Sequence, residues 1–274
     1  MITIDNRPIG VFDSGLGGLT AVRRLMEVLP NEDLIYLGDT GRVPYGGKSR
    51  ETIIKYARQD ISFLLRHGVK LVVIACGTVS TNALDVIRDE YDVPVIGVLD
   101  AAVVSAVKTT KNKRIGLIGT EASIRSGTYE RLIRRLMPDA AVFSKACPLF
   151  VPLVENGRTT VGDVVIETVA EEYLAPIRKE GVDTLILGCT HYPLLGSILA
   201  KTMGGGVRLI SPGAETAVSV AASITREGLT TARTEPGSYS YYVTDRADGF
   251  ERLASRFLET DIKGTVEQVD LESL

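Results

Sequence analysis

The chain has 274 residues, with 31 basic and 34 acidic side chains and a formal charge of −3, which suits one large or two smaller α/β units burying about three quarters of the unfolded surface. An apolar content of 45% excludes intrinsic disorder, no run approaches the roughly 18 apolar residues of a membrane span, and a pI of 5.6 supplies no basic footprint for nucleic acid. Met1 to Arg7 lacks a basic segment followed by an apolar one, and Cys76, Cys147 and Cys189 form no C-x-x-C pair, so a cytoplasmic chain with free thiols is expected.

The first predicted strand, Ile9-Phe12, runs into Asp13-Ser14-Gly15-Leu16-Gly17-Gly18 and a helix over Leu19 to Leu29. A glycine-rich turn of this kind aims backbone N–H groups and a positive helix end at a phosphate or carboxylate. Asp39, after the second strand Leu34-Leu37, stands at about the spacing of a ribose-binding acid. The dinucleotide fingerprint nevertheless fails, because Thr20 takes the third glycine position and Asp13 would set a negative charge beside a pyrophosphate. A tight turn alone explains the glycines without requiring Asp13-Ser14.

Ile54, Ala57, Ile61 and Leu65 recur at helical spacing within Ile53 to Leu65, and His67 reads as a residue at that helix's C-terminal end. Further strands follow at Leu71-Ala75, Pro94-Val98, Arg114-Ile118, Thr184-Gly188 and Val207-Ile210. Their continuous apolar runs indicate strands covered on both faces, hence a largely parallel α/β arrangement. Helical stretches after residue 211 include Ala214 to Thr225, and a last helix over Gly249 to Leu258 puts Phe250, Leu253 and Phe257 on one face as packing.

Internal similarity sharpens this pattern. Gly68 to Cys76 and Gly181 to Cys189 each place a glycine eight residues before a cysteine that ends an apolar strand, and Arg7 to Phe12 matches Lys113 to Ile118. Two related α/β halves are therefore expected, residues 1–97 with 212–274 and residues 98–211, closely apposed across a cleft at the carboxyl ends of their strands.

Two thiols at equivalent strand ends suit inversion at a carbon, where one group removes a proton from one face while another delivers a proton to the opposite face. A free thiol has a pKa near 8.5, so holding it ionised at pH 7 costs only about 2 kcal/mol. His191 is placed to accept or relay a proton. Asp13 and Glu155 suit proton acceptance or pairing with a substrate ammonium, since a carboxylate opposes a neighbouring thiolate. Buried cysteine as a small hydrophobe, a Cys-His nucleophile, and a metal site built on Cys76, Cys189 and His191 are the competing readings.

Over essentially its whole length the chain resembles the cofactor-independent glutamate racemases. The resemblance rests on Val11-Phe12-Asp13-Ser14-Gly15-Leu16-Gly17-Gly18-Leu19, Gly38-Asp39-Thr40 with Val43-Pro44-Tyr45-Gly46, Cys147 to Glu155, and Leu187-Gly188-Cys189-Thr190-His191-Tyr192-Pro193-Leu194-Leu195. It implies interconversion of L- and D-glutamate for peptidoglycan, with neither pyridoxal phosphate nor metal. It further implies that Cys76 is the base for D-glutamate, assisted by Asp13, and Cys189 the base for L-glutamate, assisted by Glu155 and His191. Substrate contacts would come from Asp13, Ser14, Tyr45, Gly46, Gly77, Thr78, Thr190 and His191, leaving Cys147 structural. Where the family usually reads Cys-Asn-Thr, this chain has Gly77, so a side-chain hydrogen bond of roughly 1 kcal/mol is absent, replaced by water or replaced from elsewhere, and activity is expected to survive with altered affinity. The resemblance also implies a homodimer, while charge and hydropathy lead to the expectation of no nucleic-acid or membrane partner. Its alternatives are an aspartate or other amino-acid racemase, or a regulatory protein with a gyrase-binding role.

Overall fold

The computed structural model describes residues 4–248 and 250–271. Gly249, expected to open the last helix, lies outside the described residues, as do residues 1–3 and 272–274 of the expected first half. The strands are β1 (Ile9–Asp13), β2 (Leu34–Gly38), β3 (Leu71–Ile74), β4 (Val95–Gly97), β5 (Arg114–Gly119), β6 (Ala141–Ala146), β7 (Thr184–Gly188), β8 (Arg208–Ile210), β9 (Tyr239–Val243) and β10 (Thr265–Gln268). One sheet has the order β10-β9-β2-β1-β3-β4 and the other β6-β5-β7-β8, and every pairing among the described residues is parallel.

The order β2-β1-β3-β4 in the first sheet recurs as β6-β5-β7-β8 in the second. The sequence repeats therefore occupy matching places: β1 corresponds to β5, and β3 to β7. β1, β3 and β7 are buried along their whole lengths because helices cover both faces, which is why they carry unbroken apolar residues. Each such Val, Leu or Ile side chain contributes about 1.5–3 kcal/mol of burial.

β6, β9 and β10 were not among the expected strands. β6 and β10 are sheet edges and β9 lies next to β10, so none is covered as a central strand is. β6 is only half-buried along its length and β10 is largely exposed, while β9 alternates tyrosines with Ser240 and Val243. None presents the continuous aliphatic run that marks a central parallel strand.

The helix expected over Ile53 to Leu65 spans Arg50–Arg66, started by the Ser49 side chain accepting from the Thr52 N–H, and His67 caps its end with Nδ1 3.0 Å from the Phe63 carbonyl. At the amino ends of the strands, Lys70 Nζ donates to Glu32 Oε2 at 2.5 Å and to the Asp5 carbonyl at 2.8 Å, a buried pair far from the cleft. Helix Val98–Thr109 leaves the first sheet, and helix Pro212–Glu227 returns from the second. The returning helix packs on both Val98–Thr109 and Leu19–Val28, which joins the halves beside the cleft. No helix among the described residues is long and apolar enough to cross a membrane.

Candidate active site

The carboxyl ends of β1, β3 and β7 meet around a cleft of about 430 Å³. Cys76 follows β3 as the N-cap of the short helix Gly77–Asn82, and Cys189 follows β7 directly. Both line the cleft, together with Ser14, Tyr45, Gly46, Gly77, Thr78, Glu155, Thr190 and His191. Of the expected site residues only Asp13 is absent from the lining, being buried just behind it at 1% exposure. A larger hollow of about 620 Å³ beside Gly41 and Leu271 contains neither thiol.

The surroundings of the two thiols differ. Cys76 Sγ donates to Ser14 Oγ at 3.4 Å, and burial, aided by the Asp13 charge, pushes this thiol up to about 12. The proton therefore stays on Cys76 at neutral pH in the unliganded cleft. Asp13 Oδ2 accepts from the Gly15 N–H at 3.0 Å, whereas its buried Oδ1 has no partner among the described residues. Burial raises the Asp13 carboxyl, opposed chiefly by the charge of His191.

On the other side His191 bridges two groups. Its Nδ1 is 3.9 Å from Cys189 Sγ and its Nε2 3.0 Å from Glu155 Oε1. Burial alone would lower this imidazole, but the bonds to Cys189 and Glu155 outweigh it and hold His191 up at about 10. The ring is thus an imidazolium at neutral pH, with its charge beside the Cys189 sulfur. Phe257 of the last helix meets the same ring edge-on, with centroids 5.3 Å apart and planes at 86°. That helix, expected to be packing only, therefore also braces a site residue; Phe250 is buried with Phe257, while Leu253 is half-buried.

The glycine-rich turn after β1 brings the halves together. A Cβ on Gly17 would collide with Thr190 Oγ1 and His191 Nδ1, and Thr20 Oγ1 donates to the Thr190 carbonyl at 3.0 Å. The third glycine position missing from the dinucleotide pattern is thus a contact between the halves. Asp39 is likewise committed elsewhere: fully buried, it accepts from the Tyr45 hydroxyl and from Arg42 Nε at 2.6 Å. Asp60 joins the same cluster, 3.0 Å from Arg42 Nη2 and 3.3 Å from the Tyr45 hydroxyl. The phenol of Tyr45 therefore anchors its loop, and Tyr45 and Gly46 both line the cleft.

Cys147 is fully buried outside the cleft lining, with Sγ 3.7 Å from the Lys145 carbonyl, and burial pushes its thiol up. Of Cys76, Cys189 and His191, weighed as metal ligands, Cys189 and His191 face each other, His191 also bonds Glu155, and Cys76 bonds Ser14. Thr120 was missed, although it lines the cleft and its Oγ1 lies 2.9 Å from Thr78 Oγ1. The repeat contained the signal: matching Ile115 to Ile9 sets Thr120 opposite Ser14. No lysine or arginine is in the lining, so an anionic ligand must be held by hydroxyls, main-chain N–H groups and His191.

Residues 23–220 match the family model described as Asp/Glu/Hydantoin racemase. A glutamate racemase from Geobacter metallireducens is 44% identical over 97% of this chain and 98% of its own, and one from Syntrophus aciditrophicus is 47% identical over 96% and 97%. The crystal structure of glutamate racemase from Francisella tularensis in complex with D-glutamate superposes with a TM-score of 0.91 at 40% identity, covering 99% of this chain and 100% of that one. On this match across nearly the whole length, the chain belongs to the Asp/Glu/hydantoin racemase family.

Proposed function

We propose that the protein interconverts L- and D-glutamate by a two-thiol mechanism and so supplies D-glutamate for peptidoglycan. The observation that carries this reading is the pair Cys76 and Cys189, one at the end of β3 and one after the equivalent strand β7, on a shared cleft. Glutamate is the substrate of the relatives that match nearly the full length.

From L-glutamate, the Cys189 thiolate takes the Cα proton and becomes a thiol, leaving the electron pair delocalised into the α-carboxylate. The Cys76 thiol then gives its proton to the opposite face, ending as a thiolate beside D-glutamate. The reverse direction starts with Cys76 ionised and Cys189 protonated. Both proton transfers are supplied by side chains of the chain itself, so the reading calls for no cofactor. The uneven surroundings suit the forward half: His191 with Glu155 supports an anion at Cys189, while burial keeps the proton on Cys76.

Asp13, whose Oδ1 lacks a partner among the described residues, is assigned to Cys76 or to the substrate ammonium. Ser14, Gly77, Thr78, Thr190, His191 and the main chain of Tyr45-Gly46 are assigned to substrate binding. Two domains, 1–97 with 212–274 and 98–211, are part of the proposal, supported by the division of strands between the sheets. A cytoplasmic homodimer also belongs to it, resting on the family resemblance. A circular dichroism assay over a panel of amino-acid enantiomers tests the function: loss of signal with L- and with D-glutamate is expected, and turnover of aspartate alone would contradict the substrate.

A further inference from the structure

His191 follows β7 of the second sheet, yet two of the surfaces against its ring come from the turn after β1 of the first sheet and from the last helix, Phe250–Leu258. A Cβ built on Gly17 would lie 2.5 Å from His191 Nδ1 and 2.7 Å from its Cε1, and closer still to Thr190 Oγ1. The Nδ1–Cε1 edge of the ring therefore rests on a bare Cα. On another side stands the buried Phe257, at 86° to the ring with centroids 5.3 Å apart. The same helix reaches across once more next to it, where a Cβ on Gly157 would come within 2.8 Å of Arg256 Nη1.

The polar partners of the ring do not fix its plane by themselves. Glu155 lies at the exposed rim and can follow Nε2 as the ring turns, and the 3.9 Å contact from Nδ1 to Cys189 Sγ is long. Gly17 and Phe257 are buried and cannot follow. Thr20 also clamps the turn against the end of β7, since its Oγ1 is a donor shared between the Gly17 carbonyl at 2.9 Å and the Thr190 carbonyl at 3.0 Å. One hydroxyl thus holds both residues that flank the ring edge. A methyl group at Gly17 would meet side-chain atoms and not backbone, so the ring and the Thr190 hydroxyl would give way while the fold stands.

We propose that Gly17 and Phe257 are positioning residues that set the plane of the His191 ring, so that Nε2 meets Glu155 while Nδ1 faces Cys189. The inference rests on the two-thiol reading, in which that ring supports the anion at Cys189. Proton transfer tolerates little error in placement, and a displacement of about 1 Å costs on the order of 100-fold in rate. The titratable and charged groups around the ring are Cys189, Glu155, the buried Asp13 and, on the last helix, Arg256 beside Gly157. Replacing Gly17 or Phe257 with an uncharged residue removes none of these, so a change in the titration of His191 reports the placement of its ring.

His67 and His191 are the only histidines, so NMR of isotope-labelled histidine follows the ring directly and without substrate. The test compares Gly17→Ala and Phe257→Leu with the parent enzyme, thermal unfolding showing which variants are folded. The His191 midpoint is expected to fall from about 10 by about one pH unit or more in each, as the bond to Glu155 is lost, with His67 unmoved. Loosened packing alone would admit water and relieve the burial that depresses the ring, which moves the midpoint the other way. The kcat from L-glutamate is expected to fall roughly tenfold in Gly17→Ala and about threefold in Phe257→Leu, with KM held within about threefold. In a Glu155→Gln background the further loss is expected to shrink to less than about twofold, because the bond they orient is already gone. An unchanged or raised midpoint in either folded variant, or losses that multiply in full with Glu155→Gln, overturns the proposal. Should Gly17→Ala not fold, Phe257→Leu decides by the same readings. A parent that racemises no amino acid would instead contradict the racemase reading, while the His191 titration still decides the placement of the ring.

Discussion

His191 reaches Glu155 Oε1 with Nε2 at 3.0 Å while its Nδ1 faces Cys189 Sγ at 3.9 Å, so a single ring joins a carboxylate at the cleft rim to one of the two thiols. Nothing equivalent stands beside Cys76, whose neighbours are the Ser14 hydroxyl and the buried Asp13. The two thiols are alike in fold position and unlike in electrostatics.

Glu155→Gln keeps the shape of the side chain and removes its charge. The Glu155 side chain is 41% exposed, so solvent screens part of its effect. A charge-assisted bond is worth about 1.5 kcal/mol or more, hence an expected fall of roughly tenfold in kcat from L-glutamate, with the alkaline limb of the pH–rate profile moved to lower pH. Steady-state rates in both directions across a pH series check this; an unchanged profile would separate Glu155 from His191.

The raised His191 also predicts a pH dependence of stability. Its folded value, about 10, lies above the unfolded value of 6.5, so the folded state holds the proton more tightly. The stabilisation is therefore fully present below pH 6.5 and is lost as pH rises toward 10. Cys76, raised from 9.0 to about 12, adds a loss of the same sign beginning above pH 9. Chemical denaturation from pH 6 to 10 is expected to show falling stability, and His191→Gln is expected to flatten the slope between 6.5 and 9. A slope identical to the parent would remove the linkage.

Tyr45→Phe removes the donor that Asp39 and Asp60 share. Burial pushes the Asp60 carboxyl well up, with the nearby Asp39 charge adding to the rise, so this cluster depends on its donors. Leaving a buried acceptor unsatisfied costs about 1–3 kcal/mol, and the loop carrying Gly46 should loosen. Lower thermal stability and a severalfold higher KM are expected, with kcat within about threefold; a raised KM at unchanged stability would instead assign the phenol directly to the ligand.

What was legible in the sequence follows from burial. β1, β3 and β7 are covered on both faces and announce themselves as aliphatic runs, and their repetition pointed to Cys76 and Cys189 at equivalent ends. β6 and β10, at the sheet edges, and β9 beside β10 lack such runs, because their residues need not be apolar on both sides. Contacts between the halves were illegible for another reason. Gly17 against Thr190, Gly77 against Gly188 and Phe257 against His191 join residues distant in sequence, and no local spacing encodes them. The glycine at residue 77 was visible as a missing amide; the Gly188 carbonyl beside it needed the fold.

The central claim is that Cys76 and Cys189 act on opposite faces of one substrate carbon, and solvent deuterium incorporation at Cα tests it most directly. In D2O the parent enzyme is expected to place deuterium at Cα of the product enantiomer starting from either L- or D-glutamate, and Cys76→Ser and Cys189→Ser are each expected to lower racemisation by orders of magnitude. Racemisation that persists at the parental rate in either variant, or racemisation without any solvent deuterium at Cα of the product, would contradict the two-thiol account.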